Sequence, residues 1–419
     1  MKAIIHIGSH KTGTTTIQYF LVNNRESLKK QGIIVPKGRN LKHAQHDELY
    51  EVAIDPYVRD SQPMHSFFRR FAGTLAFGKE FTTKDQMKLW KNFRHGIETN
   101  STQDDIVLFS CENLELLTEY EIAKLKELLA PLFDDITIVL YLRRQPEFLV
   151  SFYNTLVRIG IPWSFWDYVN QPEELSVLAY RQLVERWSVF GKDNLKIRIF
   201  DSQEFCDNDL LADFASVIGF DMAGLERGRD RNPSLDSAST EVLQLLNSCY
   251  PKLSGTWTLD WDRQSLAVVI SSISLETYSG KKQKSYHLTR SEVQQILDKY
   301  REGNNWIARE YLGREKLFSD DVSMYPEEVA SPHGLTLEKF AEITAALWKE
   351  RCRRIHHLEN PNDLHSLANK ISVFCQYYRY KVLSKIMLGK KRRRYEEKRI
   401  IFHERVRRIR ELCKSIKGR

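Results

Sequence analysis

The sequence predicts an α/β protein: a central parallel β-sheet flanked by helices, with added helical segments and a basic C-terminal helical tail. Three observations predict it. Short apolar, β-branched runs alternate with helical patterns through the first half of the chain. The strongest, DITIVLYL at 135–142, is apolar on both faces, as a strand covered on both sides must be. The first such run passes straight into Gly, Ser, Lys and Thr and then into a helix, a junction suited to presenting an anion to free helix-start amides. Charge is also segregated. The formal charge is +8 over 419 residues, yet Pro361 to Arg419 holds 18 Lys or Arg against 5 Asp or Glu, a net of +13 that leaves the preceding part near −5.

In chain order, residues 2–7 read as a buried strand and 15–30 as the helix after it, followed by the short strand GIIVP at 32–36. A polar, histidine-containing stretch leads to a helical region at about 62–97. DDIVLFS (104–110) is a further strand, LTEYEIAKLKELLAPLF a helix, and DITIVLYL the next strand, with the helix FLVSFYNTLVRIG behind it. The helix YRQLVERWSVFG, the strand LKIRIF (195–200) and the helix DLLADFASVIGF complete the alternation, which implies a parallel sheet. Beyond residue 228 the pattern turns helical, with EVLQLLNSCY and SEVQQILDKY as members, and SGTWTLDWD reads equally as loop or hairpin. The expected organisation is a nucleotide-binding core (1–227), a mostly helical acceptor-side region (228–360) packed on it, and the tail (361–419).

Composition narrows the function classes. The six cysteines are scattered without C-x-x-C spacing, which argues against a cysteine zinc site and a disulfide scaffold. No stretch approaches the roughly 18 apolar residues that span a bilayer, and no targeting segment is visible, so a cytoplasmic protein is expected.

Gly8-Ser9-His10-Lys11-Thr12-Gly13-Thr14-Thr15-Thr16 offers amides, hydroxyls and a lysine where a helix begins. An ATP-type loop requires its lysine after the last glycine, with a hydroxyl holding magnesium. Here Lys11 precedes Gly13, which disfavours ATP hydrolysis. The plain alternative is a threonine-rich helix cap. A second motif, LRRQPEFLVSFY, ends the strongest strand in Arg143 and sets Ser151 eight residues on, in the following helix. Arginine holds a phosphate bidentately and serine adds a short hydrogen bond. Taken alone, this pair also reads as a helix-start salt bridge.

The two motifs together resemble the sulfotransferase superfamily, and its bacterial carbohydrate-type members in particular. That resemblance implies a P-loop-like fold and the donor 3'-phosphoadenosine 5'-phosphosulfate, with no metal required. By resemblance Lys11 contacts the bridging and phosphosulfate oxygens, while Gly13, Thr14, Thr15 and Thr16 supply amides and hydroxyls. Thr12 is a further cofactor-binding candidate in the same loop, and His10, near the phosphates, assists there or packs structurally. Arg143 and Ser151 take the 3'-phosphate, although the family's proline spacing would fit Arg144. GRDRNPSLD (228–236) and EGNNWIAREYLG (302–313) look like later segments of bacterial members, with Arg231 among the candidate 3'-phosphate contacts beside Arg227 and Arg229. A solvated basic loop explains those arginines equally well.

The acceptor hydroxyl must pass its proton to a base. Glu112 is the first candidate, because it follows the C-terminal end of a core strand, where open α/β sheets place their chemistry. It also reads as a negative charge at a helix start. His46 and His43 are the alternatives, since neutral histidine is a good base near pH 7. Glu112 together with Trp163 and Trp166 points to a carbohydrate or glycolipid acceptor, although the two tryptophans read equally as core residues. In the tail, Val382, Leu383, Ile386 and Met387 cluster on one helical face flanked by lysines, which suits peripheral association with an anionic membrane, including the inner face of the cell membrane. The same pattern reads equally as a nucleic-acid contact or a solvated helix packed on a neighbour. No specific nucleic acid is expected. The rival readings are a kinase-like or other nucleotide-dependent transferase and a non-catalytic membrane- or nucleic-acid-binding adaptor.

Overall fold

A computed structural model describes residues 1–38, 44–55, 82–158, 160–170, 177–228, 235, 237–249, 270, 288–328, 340–341 and 343–345. The expected tail helix at 361–419, the SGTWTLDWD segment and the first part of the 62–97 helix lie outside these residues. The chain divides into two compact units, Met1–Thr336 and Leu337–Arg419. The 227/228 boundary expected from sequence falls inside the first.

Five strands, β1 (Lys2–His6), β2 (Ile33–Ile34), β3 (Ile106–Ser110), β4 (Asp135–Leu142) and β5 (Leu195–Ile199), form one parallel sheet in the order β2-β3-β1-β4-β5. β1 is central, with His6 opposite Ser110 of β3 and Val139 of β4. Ala3, Ile4 and Ile5 are buried because helices cover both faces. The chain leaves β1 towards β2 and leaves β4 towards β5, so the strand order reverses between β1 and β4. Such a switch point opens a crevice at the carboxyl ends of the strands, where ligands of open α/β sheets bind.

The helices are α1 (Thr14–Asn23), α2 (Arg25–Lys29), α3 (Asp47–Ala53), α4 (Thr83–Asn100), α5 (Glu119–Leu129), α6 (Gln145–Arg158), α7 (Phe165–Val169), α8 (Tyr180–Trp187), α9 (Leu210–Ile218), α10 (Ser237–Cys249) and α11 (Arg290–Leu312). Ile17, Phe20 and Leu21 of α1 and Phe214 and Ile218 of α9 join Ile4, Leu108, Val139 and Tyr141 in one core on one side of the sheet. The single helix expected over 15–30 is broken at Asn24. Its Nδ2 donates to the Phe20 carbonyl at 2.8 Å and to the Glu226 carbonyl at 2.9 Å, while its Oδ1 accepts from the Glu226 amide at 2.8 Å. A side chain that pairs with distant backbone thus ends α1. Four helices (α4, α5, α7 and α11) start with reciprocal capping boxes, such as Thr118 with Glu121.

The helical region after residue 228 docks through buried amides. Gln145 of α6 and Asn304 of α11 exchange two hydrogen bonds, at 2.9 and 3.1 Å. Asn247 of α10 donates to the Val157 carbonyl at the end of α6, at 2.8 Å. Among the described residues, no helix is long and apolar enough to cross a membrane.

The outer strands are tied to α9 by Asp213, whose side chain is fully buried. It accepts from the Tyr141 hydroxyl at 2.7 Å, from the Cys206 amide at 3.1 Å and from both Nε and Nη2 of Arg198. Burial and then the adjoining carboxylate push the Tyr141 phenol well above its ordinary value. Replacing Asp213 by Ala strands the buried Tyr141 hydroxyl, the Cys206 amide and a guanidinium. Urea unfolding is expected to show a loss of about 3 kcal/mol at unchanged m-value, the low end for a broken buried pair. Solvent screening of Arg198, whose side chain is 34% exposed, keeps the loss at that end.

Candidate functional site

The loop between β1 and α1 is shaped by its glycines. Gly13 takes φ 76°, and a Cβ there would collide with Leu210 and come within 3.0 Å of the Phe200 ring. A Cβ on Gly8 would collide with the Thr14 hydroxyl. Between them Lys11 also adopts a left-handed conformation, φ 65°, which is uncommon outside glycine and draws attention to the turn. Thr12 Oγ donates to the Ser9 carbonyl inside the loop, and Thr14 is buried with its hydroxyl enclosed. The Thr12 hydroxyl therefore serves the loop itself, whereas that of Thr14 lies beside Gly8 and makes no hydrogen bond within the protein. Thr15 and Thr16 are half-buried. No side chain caps α1, whose first amide bonded within the helix is that of Ile17, to the Gly13 carbonyl at 3.1 Å. The preceding amides and the helix dipole favour an anion.

Arg143, just past β4, donates from Nη1 to the Lys11 carbonyl at 2.9 Å, and its guanidinium lies 5.4 Å from the centre of the Phe200 ring. The two motifs, 132 residues apart, thus meet at the switch point. Arg144 is committed elsewhere: it pairs with Glu147 at 2.6 Å and donates to the carbonyls of Ser319 and Asp321, each at 2.9 Å. It fastens the segment after α11, which leaves Arg143 at the loop. Ser151 is half-buried two turns into α6. Burial lowers the Lys11 pKa, and Arg143 and Arg158 push it the same way against Glu112. Burial also lowers that of Arg143.

Glu112 opens a short 3-10 turn, Glu112–Leu116, directly after β3 and is half-buried, close enough to act electrostatically on Lys11 and His10. His46 sits differently. It is fully buried, its Nδ1 accepts from the Ser110 amide at 3.0 Å, and its Nε2 faces the Pro36 carbonyl at 3.0 Å. The proton therefore resides on Nε2, both ring nitrogens are committed to backbone, and burial lowers the pKa. This geometry makes His46 a splint between the end of β3 and the Pro36 strand extension, with no ring nitrogen left to take a substrate proton. His43 and Arg231 lie outside the described residues. Trp163, just before α7, and Trp166, within it, are half-buried.

Two residues absent from the sequence reading complete the surroundings. Glu115 is 4% exposed and accepts from the His10 amide, at 3.3 Å to each carboxylate oxygen, and from the His10 ring. The Tyr180 hydroxyl donates to the Arg143 carbonyl at 2.7 Å. Among the described residues, no group of His, Cys, Asp or Glu is arranged to hold a metal ion.

Comparison with protein families gives no match, and no solved structure matches the chain. A protein of Archaeoglobus fulgidus described as an uncharacterized protein is 26% identical over 201 residues, covering 46% of this chain and 52% of that one. The chain therefore spans about half the length of this relative.

Burial alone would depress the His10 ring, but the Glu115 carboxylate, with help from Glu112 and against Lys11, carries its pKa up to about 9. The Phe152 ring meets it edge-on at 5.9 Å. Because the folded value exceeds the ordinary 6.5, the pair's stabilisation is fully present below pH 6.5 and lost as pH rises through about 9. Ring NMR titration of the wild type is expected to find the raised value. In Glu115→Gln, burial then dominates and the ring is expected to titrate below 6.5, with the alkaline loss of stability removed.

Proposed function

We propose that the chain is a sulfotransferase that moves a sulfuryl group from 3'-phosphoadenosine 5'-phosphosulfate to a hydroxyl of a carbohydrate or glycolipid. The observation that carries this reading is the hydrogen bond from Arg143 to the Lys11 carbonyl, which joins the two anion-binding motifs at the crevice between β1 and β4. A P-loop-like sulfotransferase fold is part of the same proposal, supported by a parallel sheet whose central strand feeds a lysine-bearing loop.

On this reading the donor supplies an activated sulfuryl group with 3'-phosphoadenosine 5'-phosphate as leaving group. The helix-start amides of α1 and the Lys11 ammonium hold its 5' end, while Arg143 and Ser151 hold the 3'-phosphate. As the acceptor oxygen bonds to sulfur and the sulfur–phosphate oxygen bond breaks, negative charge grows on the leaving phosphate. Lys11, with its lowered pKa, is suited to neutralise that charge or protonate it. Glu112 accepts the acceptor's hydroxyl proton. Fixed donors aimed at developing charge act more strongly in a partly desolvated crevice than in water.

Thermal unfolding of the full chain tests the donor. 3'-Phosphoadenosine 5'-phosphate is expected to raise Tm, whereas 5'-AMP, ADP and ATP with magnesium are not. Binding at 100 times Kd contributes about 2.7 kcal/mol, which is several degrees for most domains. Lys11→Ala and Arg143→Ala are each expected to weaken the shift. Equal shifts for all four nucleotides would remove the reading.

A further inference from the structure

The loop that carries Lys11 is held from two sides. On one, Arg143 donates to the Lys11 carbonyl at 2.9 Å, and Arg143 is itself steadied through its own carbonyl by the Tyr180 hydroxyl at 2.7 Å. On the other, the Glu115 carboxylate receives both the backbone amide and the ring of His10. The backbone of Glu115 is anchored in turn, because Arg186 of α8 donates to its carbonyl at 3.2 Å. Between these two grips lies the left-handed Lys11 peptide unit. A non-glycine residue stays in that conformation only when its surroundings over-determine it.

We propose that Glu115 is a positioning residue of the anion loop, gripping His10 by main chain and ring so that Lys11 and the following amides are set for an anion before one arrives. The role as a donor site rests on the function proposed above; the grip itself rests on the hydrogen bonds of Glu115 to His10 and to Arg186. Glu115 touches no reacting atom on this account and acts through His10. A carboxylate suits the task because it accepts from two donors of one residue at once, and hydrogen bonds to a charged group are the stronger kind. Glu112 and Glu115 are three residues apart at the start of a 3-10 turn, in which positions i and i+3 eclipse. One turn therefore aims both carboxylates at the loop. Glu115 is the buried one and holds it; Glu112 stands half-open beside Lys11.

Hydrogen exchange on the full ligand-free chain reads the grip, and calorimetric titration with 3'-phosphoadenosine 5'-phosphate reads the site. In Glu115→Gln the amides of residues 9–12 are expected to exchange roughly tenfold faster or more, the worth of a charge-assisted hydrogen bond, while the β4 amides keep wild-type rates. Affinity for the nucleotide is expected to fall by a similar factor. His10→Gln is expected to have a smaller effect of the same kind, and the double variant to be no worse than Glu115→Gln alone. Because His10 is less deeply buried than Glu115, its variant gives the same reading should Glu115→Gln fail to fold. Unchanged loop exchange in a folded variant, or strictly additive losses, would overturn the proposal. Faster loop exchange in a chain that binds none of this nucleotide would uphold the grip and remove the donor reading instead.

Discussion

Everything at the candidate site depends on β1 being paired on both edges. Its hydrogen-bond ladders to β3 and β4 continue one step past the strand: the Ile7 amide donates to the Val139 carbonyl and the Cys111 amide to the His6 carbonyl, each at 3.0 Å. The chain therefore enters the loop at Gly8 from a fixed point and in a fixed direction. That constraint requires small or β-branched apolar residues on both faces of β1, and the sequence meets it at every buried position of the strand except His6. The exception is internally satisfied on one side, since Nδ1 lies 3.0 Å from the Ser110 hydroxyl on the neighbouring strand. Burial drives its pKa down to about 3, so the ring stays neutral in the core.

Charge around the loop is arranged in alternation. Lys11 and Arg143 meet at the loop with Glu112 near them, and the adjoining residue His10 pairs with Glu115. An isolated buried cation or carboxylate would be costly, whereas paired ones lend rigidity that two opposed surface charges would not. The same logic recurs at the far edge of the sheet, where Asp213 gathers donors from β4, β5 and the segment before α9. In both places a carboxylate with several acceptor positions fastens segments that are remote in sequence.

Much of this fold was legible because buried parallel strands need unbroken apolar runs, and such runs stand out between helical patterns. The approach of Lys11 and Arg143 was legible for the same reason: each follows the carboxyl end of a strand, and parallel strands bring those ends to one edge. What remained open was set by direction rather than residue type. Arg143 and Arg144 are adjacent and chemically identical, and only the course of the segment after α11 separates them, by taking up Arg144. His46 has the composition of a base, but its burial depends on where residues 36 and 110 run. Glu115 carried a faint signal in its spacing from Glu112. That spacing acquires meaning only once the segment is known to be a 3-10 turn, because in a strand or loop the two would not share a side. The break at Asn24 was hidden likewise, since its partner Glu226 is 202 positions away.

The amide pair between Gln145 and Asn304 has a consequence for how α11 can evolve. Its two hydrogen bonds lie in a buried junction and require the two side chains to be level and face to face. Sliding α11 by one residue would shift Asn304 by about 1.5 Å along the axis and rotate it by roughly 100°, leaving both amides buried without partners. Apolar contacts in the same place would tolerate such slippage far better, because they lack direction. The pair thus works as an index mark: insertions or deletions in the connection before α11 must be absorbed by that connection, and the helix itself keeps its phase.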